Sequence, residues 1–125
     1  VVGGGDSVSR VFVYGTLLKG EGNHWLLEGA TFLGEATTLP IYTLVHLGGF
    51  PGLLTSGRQG VRGEVYEVSR ETLGRLDHLE GHPRFYRRMP VELASIEPLG
   101  EVEAYFLPPS YVRMPVIESG DWRLR

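Results

Sequence analysis

Only one stretch of this chain carries the bounded pattern of an α-helix of ordinary length, and it lies among short β-branched and apolar runs. Ser69 can cap it, Glu71 falls in its first turn, and Leu73, Leu76 and Leu79 recur at helical spacing across 70–79 before Gly81 and Pro83 stop it. The other strong segments read as strands. Val11-Phe12-Val13-Tyr14, closed by Gly15, suits a strand buried on both faces with a sharp turn after it. Segments 32–39 and 41–47 are strands parted by Pro40, with Gly34 a candidate bulge, and the Gly/Pro-rich stretch 48–52 is a loop. Val61 to Val68 alternates as a half-buried strand does. Segments 85–96 and 102–107 are the last strands, joined by a turn around Pro98-Leu99-Gly100, with Pro90 marking an edge or a bulge. Asn23 is expected to cap a brief helix through Leu26 and Leu27 that ends at Gly29.

Strands therefore outnumber helices, with neither regular βαβ alternation nor an internal repeat. The expected class is α+β with a curved, mainly mixed or antiparallel sheet, for which a small barrel is a natural closure. At 125 residues and 42% apolar content the chain supports one core and is too short for two ordinary ones. The glycine-rich start has much backbone entropy to lose and little to bury, so 1–9 is expected to be a flexible leader and 10–125 a single domain.

Several function classes are disfavoured by composition. The chain has no cysteine, which removes disulfides, thiolate nucleophiles and iron–sulfur clusters. A formal net charge of -3 argues against a broad grip on nucleic acid. No apolar run reaches the length of a membrane span and the first residues lack the pattern of a secretory signal, so no membrane partner and a cytoplasmic location are expected.

Glu80 is the residue that breaks the local rules. At helical spacing it follows Leu73 and Leu76 as i, i+3, i+7, so it shares the apolar face, and it sits at the helix C-terminus, where the macrodipole disfavours negative charge. A carboxylate partly removed from water there should have a raised pKa, which suits a general base near neutrality. The plainer alternative is an edge-of-stripe residue whose head lies in solvent or pairs with Arg84, Arg87 or Arg88. A second candidate is the turn Tyr14-Gly15-Thr16-Leu17, whose successive N–H groups can form a concave anion site, with the Thr16 hydroxyl as a further donor. Gly15 serving only as a turn former is the alternative there.

Taken with these two sites, the strings Val11-Phe12-Val13-Tyr14-Gly15-Thr16-Leu17-Leu18-Lys19-Gly20, Gly63-Glu64-Val65-Tyr66, Leu76-Asp77-His78-Leu79-Glu80-Gly81 with Tyr86-Arg87-Arg88, and Ser119-Gly120-Asp121-Trp122 carry a resemblance in their order and spacing. The chain resembles the gamma-glutamyl cyclotransferase superfamily, most closely its short branch of gamma-glutamylamine cyclotransferases and AIG2-like proteins, over almost its whole length from Arg10. The resemblance implies a small mixed β-barrel flanked by short helices, with a pocket at one end. It implies that main-chain N–H groups of Tyr14, Gly15, Thr16 and Leu17 bind the gamma-glutamyl part of a small-molecule substrate, and that Glu80 is the catalytic acid/base. The implied reaction releases 5-oxoproline and a free amine by attack of the substrate's own alpha-amine, with no metal or organic cofactor. A deacylase of a gamma-glutamylated metabolite or a glutathione-type substrate is an alternative. A non-catalytic small-molecule binding module is another.

Other constellations carry less. His78 and His82 flank Glu80 four apart, but the glutamate does not directly follow the first histidine as in a metalloprotease helix, and His82 precedes Pro83. No metal site is expected. Arg84, Phe85, Tyr86, Arg87 and Arg88 would split across the two faces of a strand, giving a solvated face and one structural ion pair rather than a nucleic-acid surface. Tyr86 and Tyr105 could line the pocket or be core tyrosines, and are not counted as sites. Asp121-Trp122 is expected to anchor the tail, with the indole as an apolar plug.

Overall fold

The computed structural model describes residues 8–94 and 100–125. Among the described residues, seven strands run in chain order as β1 (Val8–Val13), β2 (Thr31–Thr37), β3 (Tyr42–His46), β4 (Pro51–Gln59), β5 (Arg62–Ser69), β6 (Arg87–Pro90) and β7 (Glu103–Phe106), with one α-helix, α1 (Arg70–Glu80), between β5 and β6. They form a mixed sheet in the order β2-β5-β1-β7-β4-β3, and β6 pairs with β7. β7 runs parallel to β1 and to β4; the other pairings are antiparallel.

The sheet curls because β7 is shared. β6 takes one of its edges, while on the other β1 meets Glu103 and β4 meets Phe106, so β1 and β4 diverge from a common strand. The far side then closes. The Leu39 N–H donates to the Glu92 carbonyl at 2.9 Å and the Ala94 N–H to the Thr37 carbonyl at 2.7 Å, so the end of β2 meets the chain that follows β6. The expected α+β class, a mixed sheet with a single α-helix, is the one the structure adopts. Val11, Phe12, Leu44, Val65, Leu76, Phe106 and Trp122 are sealed from solvent in its core.

α1 starts and stops where its sequence dictates. The Ser69 hydroxyl accepts from the Thr72 N–H at 3.1 Å, satisfying one of the orphan donors of the first turn. Gly81 ends the helix in the left-handed region at φ 69°, where a side chain would be strained. The apolar stripe is narrower than its spacing predicts: Leu76 is fully buried, Leu73 is half-buried and Leu79 is 40% exposed. The first turns of the helix pack on the sheet, whereas its last turn reaches a cavity.

Four expectations need correction. β1 takes in Val8 and Ser9, which pair with Ser69 and Val68, because the β5 ladder extends past the expected leader; 1–7 lie outside the described residues. β4 was expected as loop at Pro51 and Gly52 and carries no strand pattern beyond them, since Leu53 and Leu54 are both buried and the next four residues all exposed. Gly52 is required there, because a Cβ would lie 1.9 Å from Leu107 Cδ1. β6 is shorter than 85–96, with Phe85 and Tyr86 in the preceding turn and Pro90 at the strand end opposite Glu103; Ile96 and most of the expected turn at 98–100 lie outside the described residues. Asn23 precedes a 3-10 helix, His24–Leu27, without capping it, because its amide is engaged elsewhere. The bulge at Gly34 is present, with the register shifting between Phe32 and Gly34.

Candidate active site

β1 delivers the chain straight into the wall of a cavity of about 280 Å³, which is lined by 12–17, Asn23, 49–51, Leu79, Glu80, Phe85, Tyr86 and Tyr105. The turn after Val13 is tight for a steric reason. A Cβ on Gly15 would lie 2.6 Å from Pro51 Cγ, so the start of β4 can pass over the turn only if residue 15 is glycine. The Leu18 N–H closes the turn onto the Gly15 carbonyl at 3.0 Å. Asn23 then fixes its outer side: its N–H donates to the Thr16 carbonyl at 2.9 Å and its Nδ2 to Thr16 Oγ1 at 3.0 Å. Among the described residues, the N–H groups of Gly15, Thr16 and Leu17 meet no protein acceptor. Three main-chain donors are thus available beside one cavity, an arrangement suited to a carboxylate or an oxyanion.

The turn is also tied from behind. The Lys19 N–H donates to Glu64 Oε1 at 3.1 Å; Glu64, only 3% exposed, also accepts from the Tyr66 hydroxyl at 3.1 Å and from Arg123 Nη2 at 3.4 Å. Arg123 donates to the Lys19 carbonyl as well. Trp122, 1% exposed, donates its indole N–H to Glu21 Oε1 at 3.3 Å. The tail is therefore anchored by Trp122 as expected, and in addition packs against the loop that displays the donors.

Glu80 closes α1 and lines the same cavity, half-buried. Its carboxyl has neither a hydrogen bond nor an ion pair among the described residues, and burial raises its pKa from 4.5 to about 7. The pairing alternative is not realised. Arg88, the guanidinium that could have neutralised it, is bound by Asp77 and, at 3.1 Å, by Glu103, which hold its pKa up; Arg84 and Arg87 are exposed. His82 Nδ1 accepts from the Arg88 N–H at 2.9 Å and His78 is exposed, so the two histidines do not converge; no cluster of metal-ligating side chains exists among the described residues.

Three buried phenols complete the wall, each with its hydroxyl committed. Tyr14 donates to the Tyr105 carbonyl at 2.6 Å, Tyr86 to the Pro51 carbonyl at 2.6 Å, and Tyr105 to Asp77 Oδ1 at 2.7 Å. Burial raises all three phenol pKa values, and the nearby Glu80 charge adds to the rise at Tyr14 and Tyr86. They stay neutral and shape the cavity. Tyr86 and Tyr105 were not counted as sites from sequence, and their strand positions alone could not separate pocket from core. Phe50 and Pro51 lie in a stretch whose sequence pattern is that of a plain loop, and they reach the cavity where β4 begins over the Gly15 turn. Asp77, one turn before Glu80 on α1, could have been suspected from that spacing.

The chain belongs to the family described as gamma-glutamyl cyclotransferase, AIG2-like, whose model matches residues 11–124. A gamma-glutamylaminecyclotransferase from Bos taurus is 39% identical over 133 residues, covering 93% of this chain and 79% of the bovine protein. A gamma-glutamylcyclotransferase family protein from Escherichia coli is 36% identical over 114 residues, covering 90% of this chain and 95% of its own. The crystal structure of an AIG2-like protein from Mus musculus superposes with a TM-score of 0.76 at 30% identity, covering 89% of this chain and 86% of the mouse chain.

Proposed function

We propose that this protein is a cyclotransferase that cleaves a gamma-glutamyl amide to 5-oxoproline and a free amine, with Glu80 as general acid/base and the Tyr14 to Leu17 turn as the cradle for the substrate's alpha-carboxylate. The observation that carries the reading is one juxtaposition. An unpaired carboxyl with a pKa raised to about 7 shares a cavity with three unspent main-chain donors. Family membership supplies the substrate class.

The chemistry follows from those two features. The N–H groups fix the alpha-carboxylate, which leaves the alpha-ammonium and the gamma-carbonyl free to fold toward each other. Glu80 takes a proton from the ammonium, and the amine attacks the gamma-carbonyl carbon to close a five-membered ring. Nucleophile and electrophile belong to one molecule, so proximity supplies much of the rate. As the C–N bond to the leaving group breaks, Glu80 returns a proton to the departing nitrogen. In all, two protons leave the alpha-nitrogen and two reach the leaving amine, the second by way of solvent, which balances the products as 5-oxoproline and an ammonium ion.

The test is release of 5-oxoproline from a panel of gamma-glutamyl amides by the parent and by Glu80→Gln, which keeps the size and removes the basicity. Loss of turnover in a folded variant supports the assignment. Parental rates in Glu80→Gln would rule it out.

A further inference from the structure

We propose that His24 is a positioning residue for substrate binding: its imidazole fixes the peptides of the donor turn so that the Thr16 N–H faces the substrate's carboxylate. This rests on the reading in the preceding subsection for the identity of the anion and adds what aims the donor at it. Two features of the structure lead to it.

The first is a chain of hydrogen bonds that ends at the cavity. His24 Nδ1 lies 2.8 Å from the Leu17 carbonyl, and a carbonyl can only accept, so this nitrogen carries a hydrogen and donates it. In a trans peptide the C=O and N–H point to opposite sides, so fixing the Leu17 carbonyl also fixes the Leu18 N–H. That N–H donates to the Gly15 carbonyl at 3.0 Å. On the opposite side of the same Gly15–Thr16 peptide is the Thr16 N–H, which meets no protein acceptor among the described residues, and Thr16 lines the cavity. Each bond in such a chain polarises the next, so the imidazole both orients and strengthens the donor at its far end.

The second is that the imidazole is itself held. The His24 main-chain N–H donates to the Glu21 carbonyl at 3.2 Å, and the 3-10 helix that His24 opens is seated by the buried Leu26 and Leu27. The half-buried ring packs against Tyr66 with centroids 5.8 Å apart. The Tyr66 hydroxyl donates in turn to Glu64, the carboxylate that also takes the Lys19 N–H. Asn23, the residue before, donates its N–H to the Thr16 carbonyl at 2.9 Å, so successive residues grip successive carbonyls of the turn. The Leu17 carbonyl has no other donor among the described residues, so nothing stands in for the imidazole when it is removed.

Three substitutions separate positioning from packing. Asparagine carries its amide nitrogen as many bonds from Cα as histidine carries Nδ1, glutamine carries it one bond further, and leucine has no donor. By size, glutamine and leucine are the closer replacements and asparagine the poorer, so hydrogen bonding and packing predict opposite orders. KM and kcat are measured for 5-oxoproline release from a gamma-glutamyl amide, and binding of 5-oxoproline is followed on the Thr16 amide resonance by NMR. KM and the 5-oxoproline Kd are expected to rise by about tenfold in His24→Leu and His24→Gln, the scale of one lost hydrogen bond, with kcat little changed. His24→Asn is expected to recover most of that loss. All three variants lose the ring contact with Tyr66, so a similar drop in melting temperature is expected of each. Equal KM in the parent and its variants, or His24→Asn as the weakest binder, would overturn the inference and leave the cyclotransferase reading intact. If the parent releases no 5-oxoproline from any gamma-glutamyl amide, the proposed function falls, and the 5-oxoproline titration still decides this inference by the same order. A Thr16 resonance that 5-oxoproline does not move in the parent would overturn it.

Discussion

Replacing Glu80 by glutamine should do two things at once: abolish turnover and make the protein more stable at alkaline pH. The carboxyl titrates near 7 in the folded chain and near 4.5 as an unperturbed group. Between those values the folded chain keeps a proton that the unfolded chain has shed, so the parent loses stability as pH rises through that window. The penalty is absent below about pH 4.5 and complete above about pH 7. A shift of this size corresponds to about 3 kcal/mol at 1.36 kcal/mol per pKa unit, and glutamine, which cannot ionise, escapes it. Allowing about 1 kcal/mol for the cost of a half-buried amide, urea denaturation should show the variant more stable by about 2 kcal/mol at pH 8.5 and less stable by about 1 kcal/mol near pH 4, where the ionisation penalty is absent. In parallel, 5-oxoproline release should fall by roughly 10²–10⁴-fold, the usual worth of a general acid/base. Equal stability at pH 8.5, or a variant weaker than the parent there and equal at pH 4, would refute the premise that burial strains this carboxyl.

The other predictions concern the parts that hold the site. In the parent, kcat/KM should rise with pH through about 7, since Glu80 must be ionised to take the first proton; a flat profile from pH 5 to 9 in a stopped assay would contradict it. Gly15→Ala should raise KM or abolish activity and cost about 1–3 kcal/mol, because the new methyl meets Pro51 at 2.6 Å, and paired kinetics and urea melts would show both effects. Arg88→Met should destabilise by about 3 kcal/mol, leaving Asp77 and Glu103 without their shared cation, while Asp77→Asn with Arg88→Met should recover part of that loss in a double-mutant cycle. Glu64→Leu removes the acceptor of the Lys19 N–H, the Tyr66 hydroxyl and Arg123, so it should cost about 2–4 kcal/mol and raise KM more than it lowers kcat.

What was legible in the sequence follows from what local rules can carry. α1 was readable at both ends because its signals are local: a hydroxyl at the N-cap and a glycine at the C-cap each act within a few residues. The second half of β1 was readable because Val11, Phe12 and Val13 are buried and β-branched or aromatic, whereas Val8 and Ser9 pair with β5 without such a signal. β4 was not, since its burial runs in two blocks instead of alternating and its glycines answer to Leu107 and to the β3 backbone, partners remote in sequence. The site divides the same way. Glu80 and the turn were visible as local anomalies, a carboxylate on an apolar face and a glycine directly after a buried strand. The phenols and Pro51 join them only through tertiary contacts.

That division explains why Glu80 stays unpaired. Three arginines follow it within eight residues, and in a freely packed surface one would be expected to fold back onto it. The turn from α1 into β6 instead aims Arg88 at Asp77, one helical turn earlier, and the β6–β7 ladder brings Glu103 to its other side. Two carboxylates therefore occupy the cation, and the third is left in the cavity with a raised pKa. Asp77 acts on both sides of this arrangement, since it also holds the Tyr105 hydroxyl that helps to wall the cavity. Its role is positional, and it separates from a merely structural one by experiment. Asp77→Asn frees Arg88 to approach Glu80, so the pH at which activity rises should move below 7 even where stability is little changed; an unmoved profile would show that Arg88 stays away from Glu80 for some other reason.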